Sequence, residues 1–396
     1  MSVTVEFPQL SDDELTRILI PPTTDKNRLR VVIDTDFNNE VDDYFALAWL
    51  LLQQLSPSGE LNKIDLEAVY VAPYSFKARL DKLIKAYEIY LMPLNARTEQ
   101  QKAFLSGYET RIKSIDALGI TPCQLEENPH LNGSNEGGID GSYCSILDLC
   151  QKMGFDTTNK VFKGATHFMP SPSEGVESDA AKHLVELAST ASPEEPLYVI
   201  AIGAPTNVAS ALLMKPEILP NIVVIWDAGY PTNVHHLVNH SLNLEQDLYA
   251  SQLLFSSGVP LVYIPGFYIA QQLSMSLSDV KDWFQESGEV GNLLCDRYIH
   301  NPLFDFYGIP TPKSLSDPCW LGRSWVIWDI ANVAWLLNPS SVPSSLVKSP
   351  ILTNEKKWQA NPNGHWIREA HQISVNAIFP QFVKQLRDWS SNGGTA

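Results

Sequence analysis

Asp34, Asp36, Glu40, Asp42 and Asp43 stand within ten residues of one another, in the stretch VVIDTDFNNEVDDYFALAWLLL from Val31 to Leu52. Carboxylates this dense, with apolar chain on both sides, repel one another and are costly to bury unless a cation shares the site. Such oxygen donors suit a hard divalent ion, and a carboxylate beside one can also move protons. A competing reading places Asp42 and Asp43 in the first turn of a helix, where free N–H groups and the helix dipole favour negative side chains. That role leaves the other acids unexplained.

The elements that position these acids can be read from the flanks. The run ending at Ile33 is short and β-branched and predicts a buried strand, whereas Tyr44 to Leu52 is almost wholly apolar and predicts a buried helix. The acids therefore fall on a strand-to-helix turn. At the carboxyl end of a parallel strand such a turn opens into the crevice where α/β proteins place their sites.

Three later stretches could complete a site. Leu197 to Ile202 (LYVIAI) predicts a buried strand, followed by a tight turn at Gly203-Ala204-Pro205 and a helix to Leu212. In a parallel sheet the Ile202 carbonyl then faces the same crevice, although turn chemistry alone also accounts for the pattern. A strand from Ile222 to Trp226 leads into Asp227 to Asn233 and on to Ser241 to Asp247, with His235, His236 and His240 between. Amides and imidazoles read hydroxyls and heteroatoms, so Asn233 is a candidate substrate contact; a polar surface loop is the alternative. Ser324 to Leu337 reads as an apolar helix interrupted near its start by Asp329, an acid that must be paired, capped or on a metal. Asp329 is the natural partner of the first cluster.

Between these stretches the chain alternates strand and helix. Ser56 to Lys63 is a polar break, Ile64 to Ala72 a strand, Phe76 to Leu91 a surface helix, and Asp179 to Ala188 another helix. The pattern weakens from Asn95 to Gly154, where Asn132 to Gly138 reads as a loop. Leu253 to Ile264 returns to helix and strand, and Ser276 to Phe306 is helical, with Tyr298 to Asn301 reading as a lid or a packed corner.

The acidic turn, the IGAPTN turn, the SLNLEQD segment and the Trp328-Asp329 pair, in this order, resemble the inosine-uridine-preferring nucleoside hydrolase family from about Val31 to Leu386. The resemblance implies a single Rossmann-like α/β domain, with a mainly parallel sheet flanked by helices and Ca²⁺ at the floor of its crevice. The ligands it implies are Asp36, Asp43, the carbonyl of Ile202, and Asp329. An all-oxygen set fits Ca²⁺, and the lack of cysteine or paired histidine donors argues against zinc. The implied ribose contacts are Asp42 and Asn243, with Asp329 also touching a sugar hydroxyl. Some members carry a histidine before the late aspartate and the purine-preferring branch a tryptophan. Trp328 here could therefore stack on a nucleobase, or could be core in a helix with Trp325 and Trp335. A homo-oligomer, dimer or tetramer, is also implied.

Cleaving an N-glycosidic bond passes through an oxocarbenium-like sugar, which requires water at the anomeric carbon and negative charge nearby. Calcium is a weaker Lewis acid than zinc, so a base must assist, and Asp36 is the candidate. The expected product pair is free base and ribose, from a purine or modified nucleoside. Two departures from the family pattern stand out. Phe37 to Val41 lengthens the usual DxDPGxDD turn by two residues, so the turn must bulge, with Asn39 or Glu40 adding a contact or Glu40 simply solvated. Ser241 occupies a place where better-known members carry a glutamate.

Composition narrows the partners. The chain has 396 residues and a formal net charge of −17, which disfavours nucleic acid and anionic membrane surfaces and suits a small neutral substrate. Five scattered cysteines without a CxxC pair indicate neither a disulfide framework nor a zinc knuckle, so a reducing cytoplasm is the expected location. No secretory signal or membrane span is read. Residues 1–30 read as an N-terminal arm, 31–390 as the α/β domain and 391–396 as a tail. Two other functions fit parts of the sequence. One is a haloacid-dehalogenase-type phosphatase using Asp34 as nucleophile with Mg²⁺, for which no later GDxxxD-like segment appears. The other is a nucleoside-binding protein without turnover, suggested by the altered turn and Ser241.

Overall fold

The computed structural model describes residues 5–23, 28–55, 63–128, 131, 135–310 and 324–393, the side chains of 135–137 excepted. Most of the polar break at Ser56 to Lys63, the start of the Asn132 to Gly138 loop, and Cys319 lie outside the described residues. Among the described residues the strands are β1 Leu29–Thr35, β2 Ile64–Val71, β3 Val161–Lys163, β4 Leu197–Ala201, β5 Ile222–Ala228, β6 Leu261–Pro265, β7 Ser274–Ser276, β8 Ser324–Val326, β9 Ser344–Lys348, β10 Ile351–Leu352, β11 Trp358–Gln359 and β12 Trp366–Ala370. Eight form the main sheet in the order β3-β2-β1-β4-β5-β6-β12-β9. Every pairing in it is parallel except β12 with β9 at one edge.

This order reverses direction between β1 and β4, the switch point at which the carboxyl ends of strands open a crevice. β1 is central, and its run from Val31 to Thr35 is buried, as a strand covered on both faces must be. The helix Asp42–Leu55 that follows is buried from its first residue through Gln53. Apolar on every side, it belongs inside the molecule, and Trp49 stacks on Phe382 of the helix Val375–Ser391 at 5.2 Å between ring centres. One apolar cluster fills the side of the sheet under these helices. A second fills the other side, under Asp179–Ala188 and Thr206–Met214.

Several expectations are corrected. Asn135–Lys152 is a helix, so the loop reading holds for none of 135–138; Gly138 is tolerated because the Tyr74 ring lies where a side chain would go, 3.2 Å from a Cβ built there. The weak stretch from Asn95 contains short helices at Glu99–Ser106, Glu109–Ala117 and Pro122–Glu127. Ser324 to Leu337 is not one helix. Ser324–Val326 pairs with β7, Ile327 N–H donates to the Leu273 carbonyl at 2.9 Å, and the helix begins only at Ile330. The first thirty residues include a helix, Asp12–Ile18, capped by Ser11, and the Arg368 side chain in β12 donates to the Leu19 carbonyl at 2.5 Å. Among the described residues no helix is long and apolar enough to cross a membrane.

Candidate functional site

The turn after β1, the carboxyl ends of β4 and β5, and the segment before Ile330–Leu337 surround a cleft of about 540 Å³. Its floor is acidic: Asp36, Glu40, Asp42, Asp43, Asp227 and Asp329 all line it, as does Ile202. The five aspartates are each at most 3 % exposed. Segments far apart in the chain thus converge on one small volume.

The lengthened turn is a built bulge. Asn38 takes a left-handed backbone at φ 78°, which asparagine tolerates better than most residues. Its Oδ1 accepts from the Tyr44 hydroxyl at 2.6 Å, its amide donates to Ser145 Oγ at 2.9 Å, and Ser142 donates to the Phe37 carbonyl. The helix Asn135–Lys152 therefore buttresses the turn. Phe37 and Val41 plug into the core, which leaves Asp36, Asn39 and Glu40 facing the cleft.

Each acid is held separately. The Asn39 amide donates to Asp36 Oδ2 at 2.6 Å, and a Cβ at Gly203 would stand only 2.8 Å from Asp36 Cγ. The Thr35 hydroxyl donates to Asp43, and the Trp328 backbone N–H donates to Asp42 Oδ2 at 3.2 Å. The other Asp42 oxygen has no hydrogen-bond partner among the described residues. Asn332 donates to Asp227 Oδ1 and to the Ala201 carbonyl, both at 3.1 Å. Asp42, Asp43 and Asp329 each bring one carboxylate oxygen within 4.8 Å of the others, a grouping that could hold a metal ion. Asn243 donates to the Ile202 carbonyl at 3.2 Å and to the Asp227 carbonyl at 3.1 Å.

Burial without enough positive charge makes these carboxyls reluctant to ionise. It pushes Asp36, Asp42, Asp43 and Asp329 well above the ordinary aspartate value, and the negative charges of their neighbours push them further. Asp227 rises to about 7 for the same first reason, and so does Glu40, despite the pull of Arg79. Ionised together, these carboxyls need positive charge close beside them.

The walls differ from the floor. On one side Trp328 and Phe267 meet edge to face, with ring centres 6.2 Å apart. On another stand Arg79 and Lys82 from the helix Lys77–Leu91 and Arg111 from Glu109–Ala117. Arg79 pairs with Glu245 at 2.6 Å and donates to the His240 carbonyl at 2.7 Å. Burial would raise the Glu245 carboxyl, but Arg79, Lys356 and His240 outweigh it and bring it down to about 2.

Of the residues singled out in the sequence, Asp36, Asp42, Asp43, Ile202, Asn243, Trp328 and Asp329 line the cleft, as does Ser241. Asn233 does not. It is exposed on the turn after β5, and the neighbouring Asn239 is the buried amide, donating to the Lys356 carbonyl at 3.0 Å. Asp34 also lies outside the cleft lining. The Asn207 amide holds it at 2.8 Å, and burial pushes its carboxyl up to about 7, so the phosphatase reading with Asp34 as nucleophile has no site. Sequence reasoning passed over Asp227, Phe267 and the basic wall. Asp227 was legible, since it ends a buried strand as Asp34 and Asp36 end β1; the arginines lay in helices with no distinguishing pattern.

Residues 125–377 match the model of a family described as inosine-uridine preferring nucleoside hydrolase. The chain belongs to this family. Similar members include the pyrimidine-specific ribonucleoside hydrolase RihB of Shigella flexneri, 22 % identical over 179 residues, 44 % of this chain and 52 % of that protein. RihA of Citrobacter koseri, also named pyrimidine-specific, is 25 % identical over 178 residues, 43 % of this chain and 51 % of that protein. The chain spans about half the length of the curated relatives it matches. Among solved structures, a purine-preferring ribonucleoside hydrolase from Gardnerella vaginalis aligns with a TM-score of 0.58 at 16 % identity, over 92 % of this chain and 99 % of its own. The plant nucleoside hydrolase PpNRh1 aligns at 0.54 and 14 % identity, over 91 % and 99 %. At these identities the structural likeness establishes the shared α/β fold.

Proposed function

We propose that this chain is a calcium-dependent N-ribohydrolase that cleaves a ribonucleoside, purine or modified, to free base and ribose. The observation that carries the reading is the convergence of Asp36, Asp42, Asp43 and Asp329 with Ile202 in one buried cleft at the switch point of the sheet. The donor set fits a hard divalent ion: its donors are oxygens, they are buried, and Asp42 keeps an oxygen without a hydrogen-bond partner among the described residues. Asp42, Asp43 and Asp329 lie within reach of one ion, and Asp36 and the Ile202 carbonyl, which line the same cleft, would complete the set that holds it. When bound, calcium supplies the positive charge that returns these carboxyls to their ionised form and acidifies nearby water.

The chain's own residues do the rest. Asp36, oriented by Asn39 and confined against Gly203, takes a proton from the attacking water as the water oxygen bonds to the anomeric carbon. The C–N bond breaks, and the departing base takes a proton at its ring nitrogen. The acids around the sugar stabilise the positive charge it develops. Asp42 and Asn243 hydrogen-bond the ribose hydroxyls. Trp328 offers an indole face as a stacking wall, with Phe267 edge-on against it, which supports the purine reading even though the curated relatives are named for pyrimidines.

The test is incubation with purine, pyrimidine and modified ribonucleosides, with and without a calcium chelator, following free base and ribose. Cleavage that stops on chelation, returns with Ca²⁺ and is lost in Asp36→Asn is the expected result. Cleavage indifferent to the chelator refutes the metal assignment. Tight binding of intact nucleosides without turnover would instead favour the binding-protein reading.

A further inference from the structure

The basic wall has charge that the rest of the cleft does not use. Arg79 is committed to Glu245 and the His240 carbonyl. Arg111 and Lys82 are different: among the described residues neither has a carboxylate partner, although the chain carries 45 acids against 28 lysines and arginines. Arg111 is half-buried, with its guanidinium 4.6 Å from the centre of the Tyr307 ring and 5.1 Å from that of Phe306. Stacking of this kind fixes the plane of the group and leaves its N–H edge available. Burial lowers the Arg111 pKa, the mark of a cation held partly out of water with no counter-charge of its own.

An arginine partly removed from solvent, stacked in place and lining a substrate cleft is a receptor for an anion, because the guanidinium edge matches two oxygens of a phosphate or carboxylate. Lys82 reaches the same cleft one helical turn beyond Arg79. Nearby, Ser241 offers a neutral hydroxyl, and Glu245, the acid on that side of the cleft, is already paired with Arg79 and Lys356.

Resting on the hydrolase reading above, we propose that the preferred substrate is a ribonucleoside carrying an anionic group, bound through Arg111 and Lys82. With the base on Trp328 and the ring hydroxyls on the acidic floor, the exocyclic 5′ carbon is the sugar position left to meet the basic wall, so the anion we assign is a 5′-phosphate. Hydrolysis remains as written: water adds to the anomeric carbon, the C–N bond breaks, the base leaves with a proton, and the phosphate stays on the ribose product.

The experiment compares kcat and KM of the full chain with Ca²⁺ for a ribonucleoside, its 5′-monophosphate, and a pyrimidine ribonucleoside with a carboxylate on the base. The same measurements are made on Arg111→Met, Lys82→Met and Arg111→Lys. The monophosphate should exceed the neutral nucleoside in kcat/KM by about ten- to hundredfold, the range for a charge-assisted contact. Arg111→Met should shrink that ratio through KM, and Arg111→Lys should restore part of it. Preference for the base carboxylate over the phosphate, lost in the same variants, would move the anion to the base side and overturn the phosphate assignment. Equal use of charged and neutral substrates, or a loss in Arg111→Met that is the same for both, overturns the proposal. If no compound releases free base, the hydrolase reading fails separately. Calorimetric titration with ribose 5-phosphate against ribose then decides the anion site: tighter binding of the phosphate, weakened in Arg111→Met, supports it, and equal binding refutes it.

Discussion

Gly203→Ala is the sharpest test of the Asp36 assignment because the substitution adds one carbon at a place where the cleft has no room. The new Cβ would stand 2.8 Å from Asp36 Cγ and 3.0 Å from both its Cβ and Oδ1. Ordinary carbon contacts lie at roughly 3.5–4.0 Å, so the carboxylate must retreat by about 0.5–1 Å. It cannot retreat freely, since Asn39 holds Oδ2 at 2.6 Å and Phe37 next in the chain is locked in the core. A displacement of this size in a reacting group costs about a hundredfold in rate, whereas overpacking costs about 1–3 kcal/mol of stability. The φ of Gly203 lies outside the left-handed region, so alanine adds no backbone strain. The assay is kcat on the best ribonucleoside, with thermal unfolding and far-UV circular dichroism to establish that the fold persists. The double variant Gly203→Ala/Asp36→Ala isolates the mechanism: with the Asp36 carboxylate gone, the added methyl should cost little further rate. A Gly203→Ala enzyme with full kcat, or losses that multiply in the double variant, would refute the reasoning that Asp36 is the confined base.

Two further outcomes are expected. Trp328→Ala removes one face of the stacking wall, and loss of about 1–3 kcal/mol should lower kcat/KM for purine ribonucleosides roughly ten- to hundredfold, read from initial rates across a base panel. His365 is buried enough, with Lys348 adding to the effect, that its imidazole drops from 6.5 to about 4. The folded form holds the neutral ring, so the unfolded chain takes up the proton first. This contribution is complete above pH 6.5, is lost as pH falls towards 4, and is constant below. At about 1.4 kcal/mol per pH unit the gap gives about 3 kcal/mol, which solvent at a partly exposed ring reduces to about 2. Urea unfolding of the native chain and His365→Gln at pH 7 and pH 4.5 should show the native chain losing that much more on acidification, and parallel losses would contradict it.

The acidic turn was legible because charge inside apolar sequence has few explanations, and its flanks fix strand and helix by residue type. The helix at Asp179–Ala188 and the strand at Leu197–Ala201 were equally plain, being periodic or uniformly apolar. The short helices after Asn95 were harder. Thr98 with Gln101 and Thr121 with Gln124 form capping boxes, but the segments between are too short to establish a period. Ser324–Val326 is a strand because β7 lies beside it, and a partner forty-eight or more residues away leaves no trace in local composition. The same limit hid the basic wall. Arg79 looked like surface charge on an amphipathic helix and Arg111 lay in a stretch without a readable pattern, and only the tertiary fold brings them to the cleft that Asp43 and Asp329 line.

The Asn38 bulge ties the reactive floor to the flank of the molecule, since its side chain is gripped by Tyr44 and by Ser145 of a helix that shares no backbone pairing with β1. Wear at that remote grip would be felt as drift of the aspartate two positions earlier. Laboratory evolution of this scaffold should therefore find rate-altering changes along 142–145, although these residues do not line the cleft.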